Sequence, residues 1–341
     1  MTYRARVLLL SLAIGILTLT WLVGVTGRNR RSLPTGAGVP LVAPAALPAV
    51  TTLEIDGAAV IRLERDHRAD ESGRWWIRLN DRRLPARGSR VEEFLQTLGE
   101  QQTESRVALS AAAWPQFGLN EPVAVRLFDA AGRDVAELFF GRRSDTGRGG
   151  YLRFDTGQEV YRVGDAPFFA IERSAVYWSD LRLLPPALTE DSVVEVRIRS
   201  DIAAINELPR RFTYGLVRGN QGEWEVDGPA GREPAQPTRA RELVTAILTL
   251  EGSRFATAGI TTALAGPEVQ RDAGTGGGAV IDVALFDGRR FSLSIEVHGE
   301  RLWIQQTGAP APVDQDGRPV IFEFSPWSAE RVLRPVEDLT P

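Results

Sequence analysis

Three arginines within a ten-residue stretch are the nearest this chain comes to a ligand-binding signature. Gly141-Arg142-Arg143-Ser144-Asp145-Thr146-Gly147-Arg148-Gly149-Gly150 joins two β-rich segments, and Arg142, Arg143 and Arg148 among its glycines could form a backbone nest for an anion. The plainer reading of the same residues is a solvated hairpin loop. His67 and His298 each lack a partner three or four residues away, so neither reads as a metal ligand. The carboxylate neighbours Glu92-Glu93 and Glu190-Asp191 read as a helix face and a linker, not as acid/base pairs. No Gly-x-Ser-x-Gly elbow occurs, and Gly274 to Gly278 has no following Lys-Ser/Thr, which excludes a phosphate loop and leaves flexible loop. Expected catalytic, cofactor and metal residues are therefore none.

Aromatic residues offer one more opening. Trp75-Trp76 sits in a strand pattern, where neighbouring side chains point to opposite faces, so one ring belongs to the core. The other either lies beneath a helix or forms a platform for carbohydrate or a partner. Trp114, Trp178, Trp303 and Trp327 sit beside turns and read as local packing.

The elements that would position these residues come in two copies. Ser72-Gly73-Arg74-Trp75-Trp76-Ile77 is answered by Gln221-Gly222-Glu223-Trp224-Glu225-Val226, and each leads through a Pro-containing turn and an amphipathic helix to a Ser-Arg pair. Trp76 with Trp224 and Arg106 with Arg254 share an offset of 148 residues, which argues for a tandem supersecondary unit. In the first copy, Leu53 and Ile55 before Asp56-Gly57, then Ile61 and Leu63, predict a hairpin. Ser89-Arg90-Val91-Glu92 predicts a capping box, and Val91, Phe94, Leu95 and Leu98 give one apolar stripe on a helix over 90–99. Val123 to Phe140 predicts a second hairpin, with strands at Tyr151–Phe154 and Glu159–Val163 and a helical segment at 167–173. The second copy repeats the order, with a helix over 239–250 and a hairpin around Asp287-Gly288, where the offset grows to 158 and Gly274 to Gly278 reads as a loop insertion. The fold class predicted is α+β, with two repeats over 51–185 and 186–335, each an antiparallel sheet with a covering helix.

Ahead of the repeats, Val7 to Val25 runs nineteen residues without a charge. As a helix it spans roughly 28 Å, close to the hydrocarbon thickness of a bilayer. The exit Val25-Thr26-Gly27-Arg28 is a poor cleavage site, so the segment reads as a retained anchor over 1–31 rather than a signal peptide. Arginines flank it on both sides, and the positive-inside count is a tie. Ser32 to Val50 has no charge and recurrent Pro34, Pro40, Pro44 and Pro48, which predicts a semi-rigid stalk.

Composition narrows the partners. The chain has 341 residues, 25% of them charged, and a net charge of −4, with 40 basic residues, all arginine, interspersed among 44 acids. No basic field exists of the kind that neutralises a phosphate backbone, which excludes nucleic acid as an expected partner. The absence of cysteine excludes disulfides and thiolate chemistry.

The order of several short motifs carries a resemblance. Phe117-Gly118-Leu119-Asn120-Glu121-Pro122, a hairpin ending in Gly141, then Gly150-Tyr151-Leu152-Arg153, Val160-Tyr161-Arg162-Val163 and Asp180-Leu181-Arg182 together resemble the bacterial family called domain of unknown function 4340, across most of residues 50 to 330. Gly118, Leu119 and Pro122 form that family's turn motif; in the second copy only Leu264-Ala265-Gly266-Pro267 could stand for it. The resemblance implies a single-pass protein of the cell inner membrane with its globular part extracytoplasmic, often associated with ABC-type transport systems similar to those of gliding motility. It implies no reaction. The expected role is a binding or scaffold component of such an assembly, with the membrane and membrane-protein subunits as partners. The alternatives are an envelope hydrolase whose site assembles only on folding, and a module that recognises cell-wall polymer.

Overall fold

A computed structural model describes residues 38–66, 73–205, 208–219, 221–229, 231–256, 277–308 and 311–340. The apolar run Val7 to Val25, His67 and the Gly274 to Gly276 part of the glycine-rich insertion lie outside the described residues, as does the Leu264-Ala265-Gly266-Pro267 turn. Among the described residues no helix is long and apolar enough to cross a membrane.

Alternating apolar residues build two antiparallel sheets of nine strands each. The first contains β1 (Val50–Asp56), β2 (Val60–Asp66), β3 (Arg74–Leu79), β4 (Arg82–Pro85), β5 (Thr103–Ala108), β6 (Val123–Asp129), β7 (Asp134–Arg143), β8 (Gly150–Phe154) and β9 (Val160–Val163). Its spatial order is β4-β3-β2-β1-β6-β7-β8-β9-β5. The second contains β10 (Val193–Ile205), β11 (Leu208–Arg218), β12 (Trp224–Gly228), β13 (Gly231–Pro234), β14 (Arg254–Phe255), β15 (Gly278–Leu285), β16 (Arg290–His298), β17 (Arg301–Thr307) and β18 (Ile321–Phe324). Its order, β13-β12-β11-β10-β15-β16-β17-β18-β14, is the first order repeated strand for strand. The α+β class and the tandem sheets expected from the sequence are thus observed.

The offset between copies needs correction. Trp76 faces Pro85 across β3 and β4, and it is Glu225 that faces Pro234 across β12 and β13. Trp224 therefore corresponds to Trp75, and the offset is 149, not 148. Likewise Ser105, not Arg106, matches Arg254, because Ser105 pairs with Arg162 and Arg254 with Glu323 at the same station of the last two strands. The helices Gly88–Glu100 and Pro237–Leu248 begin 149 residues apart. Val91, Phe94, Leu95 and Leu98 are buried in the first, and Ala240, Leu243, Val244 and Ile247 in the second, the stripe expected of an amphipathic helix lying on a sheet.

Two local expectations fail. The capping box does not form: Ser89 lies inside the helix, and the Glu92 carboxylate accepts instead from Trp75 Nε1 at 2.6 Å and Arg65 Nη2 at 2.7 Å. The stalk is folded from residue 38 onward. Leu41 and Val42 are buried, the Gly38 and Leu41 amides donate to the Thr103 and Gln101 carbonyls, and Pro44–Ala49 forms a 3-10 helix whose Leu47 lies against Gly99. The second copy opens the same way. Leu183 N donates to Leu250 O and Gly252 N to Leu181 O, with Leu183 and Leu184 buried. Recurrent proline without charge suggested an extended spacer unable to bury a face, but the remaining amides and two apolar side chains suffice to dock the segment.

By packing, the described chain separates along lines other than the repeats. One compact unit holds residues up to 50, 55–58 and 94–172; the other holds 51–54, 59–93 and 173–341. Within the second unit, the buried Asp314, 2% exposed, accepts from the Asp316 and Arg318 amides and from Arg82 Nη2 at 2.9 Å.

Candidate functional site: two arginine clusters

The loop after β7 gives its arginines partners within its own unit. Arg143 Nε and Nη2 donate to the two Glu172 oxygens at 2.7 and 2.8 Å, and Arg143 also pairs with Asp165. The Glu172 hydrogen bonds, followed by the Glu172 and Asp165 charges, outweigh burial and raise the Arg143 guanidinium above its ordinary value. Arg142 bonds to Asp145 at 2.5 Å and to the Gln116 carbonyl at 2.8 Å, and lies over the Tyr151 ring. Arg148 is exposed, while its carbonyl accepts from Ser144 Oγ. The Ser144 and Gly147 amides are used inside the loop, on Gly149 and Ser144 carbonyls. Arg142, Arg143 and Arg148 thus sit on one loop, but two of the three are matched by Asp145, Asp165 and Glu172.

The turn motif turns out to hold this loop in place. Gly118 ends a 3-10 helix at φ +69°, and a Cβ there would meet the Arg142 amide nitrogen at 2.8 Å. A Cβ on Gly141 would meet the Phe117 carbonyl at 2.1 Å. Glycine at both places lets the two backbones touch. Leu119 is buried beneath them, the Phe117 ring packs tilted against Tyr151 with ring centroids 4.6 Å apart, and Pro122 leads directly into β6. Asp180 and Arg182, at the close of the motif series, form a two-bond ion pair at 2.7 Å.

Both rings of the Trp75-Trp76 pair are buried, so neither is an open platform. Trp75 faces the helix through Glu92, and Trp76, on the other side of the sheet, is covered by the Arg74 guanidinium 5.1 Å from its ring. Trp327 alone among the described tryptophans stands mostly exposed, at 64%, with Arg331 over its ring and a cleft of about 170 Å³ beside it that Thr249, Glu251 and Ser328 help to line. His298 bonds to Glu296 at 3.1 Å along the same strand, β16. Among the described residues no three His, Asp or Glu side chains gather as a metal ion requires.

A second arginine cluster was not anticipated. Glu64 on β2 accepts from Arg62 at 2.8 Å and Arg78 at 3.1 Å and pairs with Arg83 at 2.8 Å, while Arg62 also reaches Glu54 at 3.2 Å. Burial pushes the Glu64 carboxyl up, but the Arg62 hydrogen bond and the charges of Arg83 and Arg78 prevail and hold it below the ordinary carboxylate value. All these residues belong to one compact unit. Single-sequence reading missed the cluster because it exists only once the register of three strands is known.

A family model for a domain of unknown function, DUF4340, matches residues 75–268, more than half of the chain. The chain belongs to the DUF4340 family. The match starts at Trp75 on β3, runs through the rest of the first sheet and ends beyond β14, so it covers less than the 50–330 span of the motif resemblance. Neither a curated protein nor a solved structure matches this DUF4340 chain.

Proposed function

We propose that this DUF4340 protein is a membrane-anchored, extracytoplasmic binding or scaffold component of an ABC-type envelope transport assembly, acting by contact rather than by catalysis. One observation carries the reading: the family motif residues serve cohesion. Gly118, Leu119 and Gly141 let one backbone seat on another, and Asp180 pairs with Arg182 inside a segment held by its Asp180 and Leu183 amides on the Pro85 and Leu250 carbonyls. Residues used in this way preserve a shape, which is what a scaffold must present. The apolar run Val7 to Val25 supplies the anchor in this reading.

The test has two arms on the full chain. Protease added to intact spheroplasts should remove the sheets while leaving a membrane-embedded fragment. Detergent extracts of tagged cells should yield an ABC permease or ATPase subunit with the protein. Protection from protease overturns the outward orientation, and isolation without transporter subunits overturns the assembly.

A second reading, recognition of a cell-wall polymer, is favoured by Trp327 alone, whose exposed ring borders the Glu251 and Arg331 cleft. Loss of binding to purified wall polymer in Trp327→Ala would support it.

A further inference from the structure

Arg62, Arg78 and Arg83 stand directly opposite one another on β2, β3 and β4: Arg62 pairs with Arg78, and Arg78 with Arg83. Directly opposed residues share a face of the sheet, about 5 Å apart, and like charges there oppose strand pairing. A row of three guanidiniums across three neighbouring strands is therefore a local cost. Glu64 relieves it in part, but Glu64 and Glu54 together bring two negative charges against three positive ones.

The second sheet provides an internal control. At the same stations it carries Gly215, Asp227 and Arg232, again in direct register, so the like-charge row becomes a neutral residue and an opposite-charge pair. The fold is satisfied by that arrangement. The arginine row of the first sheet is then extra to what the architecture requires, and departures of this kind gather at functional surfaces.

Access is open. Arg62 and Arg78 side chains are 43% and 50% exposed and Arg83, which also reaches Gln315, is 25% exposed, while Glu64 is 13% exposed, so the guanidiniums stand outside the carboxylate that ties them together. Each guanidinium has more donors than Glu64 can use. We propose that this row is a docking surface for an acidic segment of a partner protein, whose carboxylates take the outward N–H groups of Arg62, Arg78 and Arg83. Glu64 shows the chemistry, since both of its oxygens are already held by guanidiniums in the geometry a carboxylate prefers. Glu54 and Glu64 on the same face would repel a continuous anionic bilayer, and the aromatic neighbour Trp76 is buried, which favours discrete carboxylates over a lipid surface.

The proposal deepens the scaffold reading by naming the partner's chemistry and rests on it, yet the two fail separately, because this test uses purified protein alone. Binding of detergent-solubilised full chain to polyglutamate is measured at several salt concentrations for the wild type, Arg62→Gln/Arg78→Gln and the second-sheet control Arg232→Gln. The double variant should lose affinity by at least about tenfold and show a shallower salt dependence, as expected for loss of steering charges, while Arg232→Gln matches the wild type. Arg78→Gln alone should melt at the same or a higher temperature, since it removes the middle of a like-charge row. Equal affinity of wild type and double variant overturns the proposal, as does retention by phosphatidylglycerol vesicles without binding to polyglutamate. A lowered melting temperature for Arg78→Gln with unchanged binding would make the row a structural network instead.

Discussion

Trp75 and Trp224 hold the same place in two different sheets: each carbonyl accepts the amide of the residue just after the adjoining edge strand, Ala86 at 3.0 Å and Ala235 at 2.9 Å. Each ring also has an arginine across the strand pair, Arg65 over Trp75 and Arg218 over Trp224. Two independent details around equivalent tryptophans make the repeat a property of the backbone and of the side chains together.

If the helices are equivalent, their buried stripes should contribute alike. Phe94→Ala and Ile247→Ala remove side chains that are 3% and 0% exposed, and each should cost about 2–5 kcal/mol of unfolding free energy. Denaturant titration followed by tryptophan fluorescence measures this. A cost well under 1 kcal/mol at one position and not at the other would break the equivalence.

The motif glycines should be intolerant in proportion to their contacts. Gly141→Ala sets a methyl group 2.1 Å from a carbonyl oxygen, and Gly118→Ala adds unfavourable φ to a 2.8 Å approach. Each should destabilise by at least about 1–3 kcal/mol. Gly132→Ala, at φ +73° with open space around it, should cost about 1 kcal/mol. Thermal melts of the three variants should keep that order.

Glu64 should report on acid. Its carboxyl titrates below the ordinary value in the folded chain, so its contribution is fully present above the unfolded-state value and is lost as pH falls through the folded one. Glu64→Gln should lower stability at pH 7 by about 1.5–3 kcal/mol, the range for hydrogen bonds to charged groups. Between pH 6 and pH 3 the wild type should lose more stability than the variant; parallel pH profiles would refute the assignment.

Asp314 is the most enclosed carboxylate described and answers to Arg82 and two amides. Asp314→Ala leaves all three donors without their acceptor and should cost about 3 kcal/mol. Asp314→Asn, which keeps one acceptor oxygen, should cost less in the same urea titration.

Periodicity made the sheets and helices legible. The stripes at Val91 to Leu98 and Leu243 to Ile247 follow from spacing alone, and so does the β6–β7 hairpin, whose Asp129 side chain caps its own turn through the Ala131 and Arg133 amides. What escaped was what periodicity does not encode. β4 and β13 are four residues each, too short to alternate visibly, and β17 and β18 were not anticipated in the second copy. Two adjacent tryptophans made the repeat offset ambiguous by one, an error that reverses every side chain in a strand. The stalk misreading has another origin, since Leu41 and Val42 are held by contacts with residues some sixty positions away. The arginine loop at 142–148 was visible as charge, but its neutralising partners Asp165 and Glu172 come from beyond it. The row Arg62, Arg78 and Arg83 is scattered in sequence and becomes a row only by pairing.

The unit that was copied and the unit that coheres are different pieces of this chain. The copied piece opens at Leu41-Val42-Ala43-Pro44 and again at Leu183-Leu184-Pro185-Pro186, whereas residues 59–93 cohere with 173–341. A gene cut between the copies would therefore strand strands β2, β3 and β4 away from the residues they pack with, including Asp314. Either copy expressed without the other would lose the Arg82–Asp314 and Arg87–Glu251 ion pairs, each of which takes one partner from each copy.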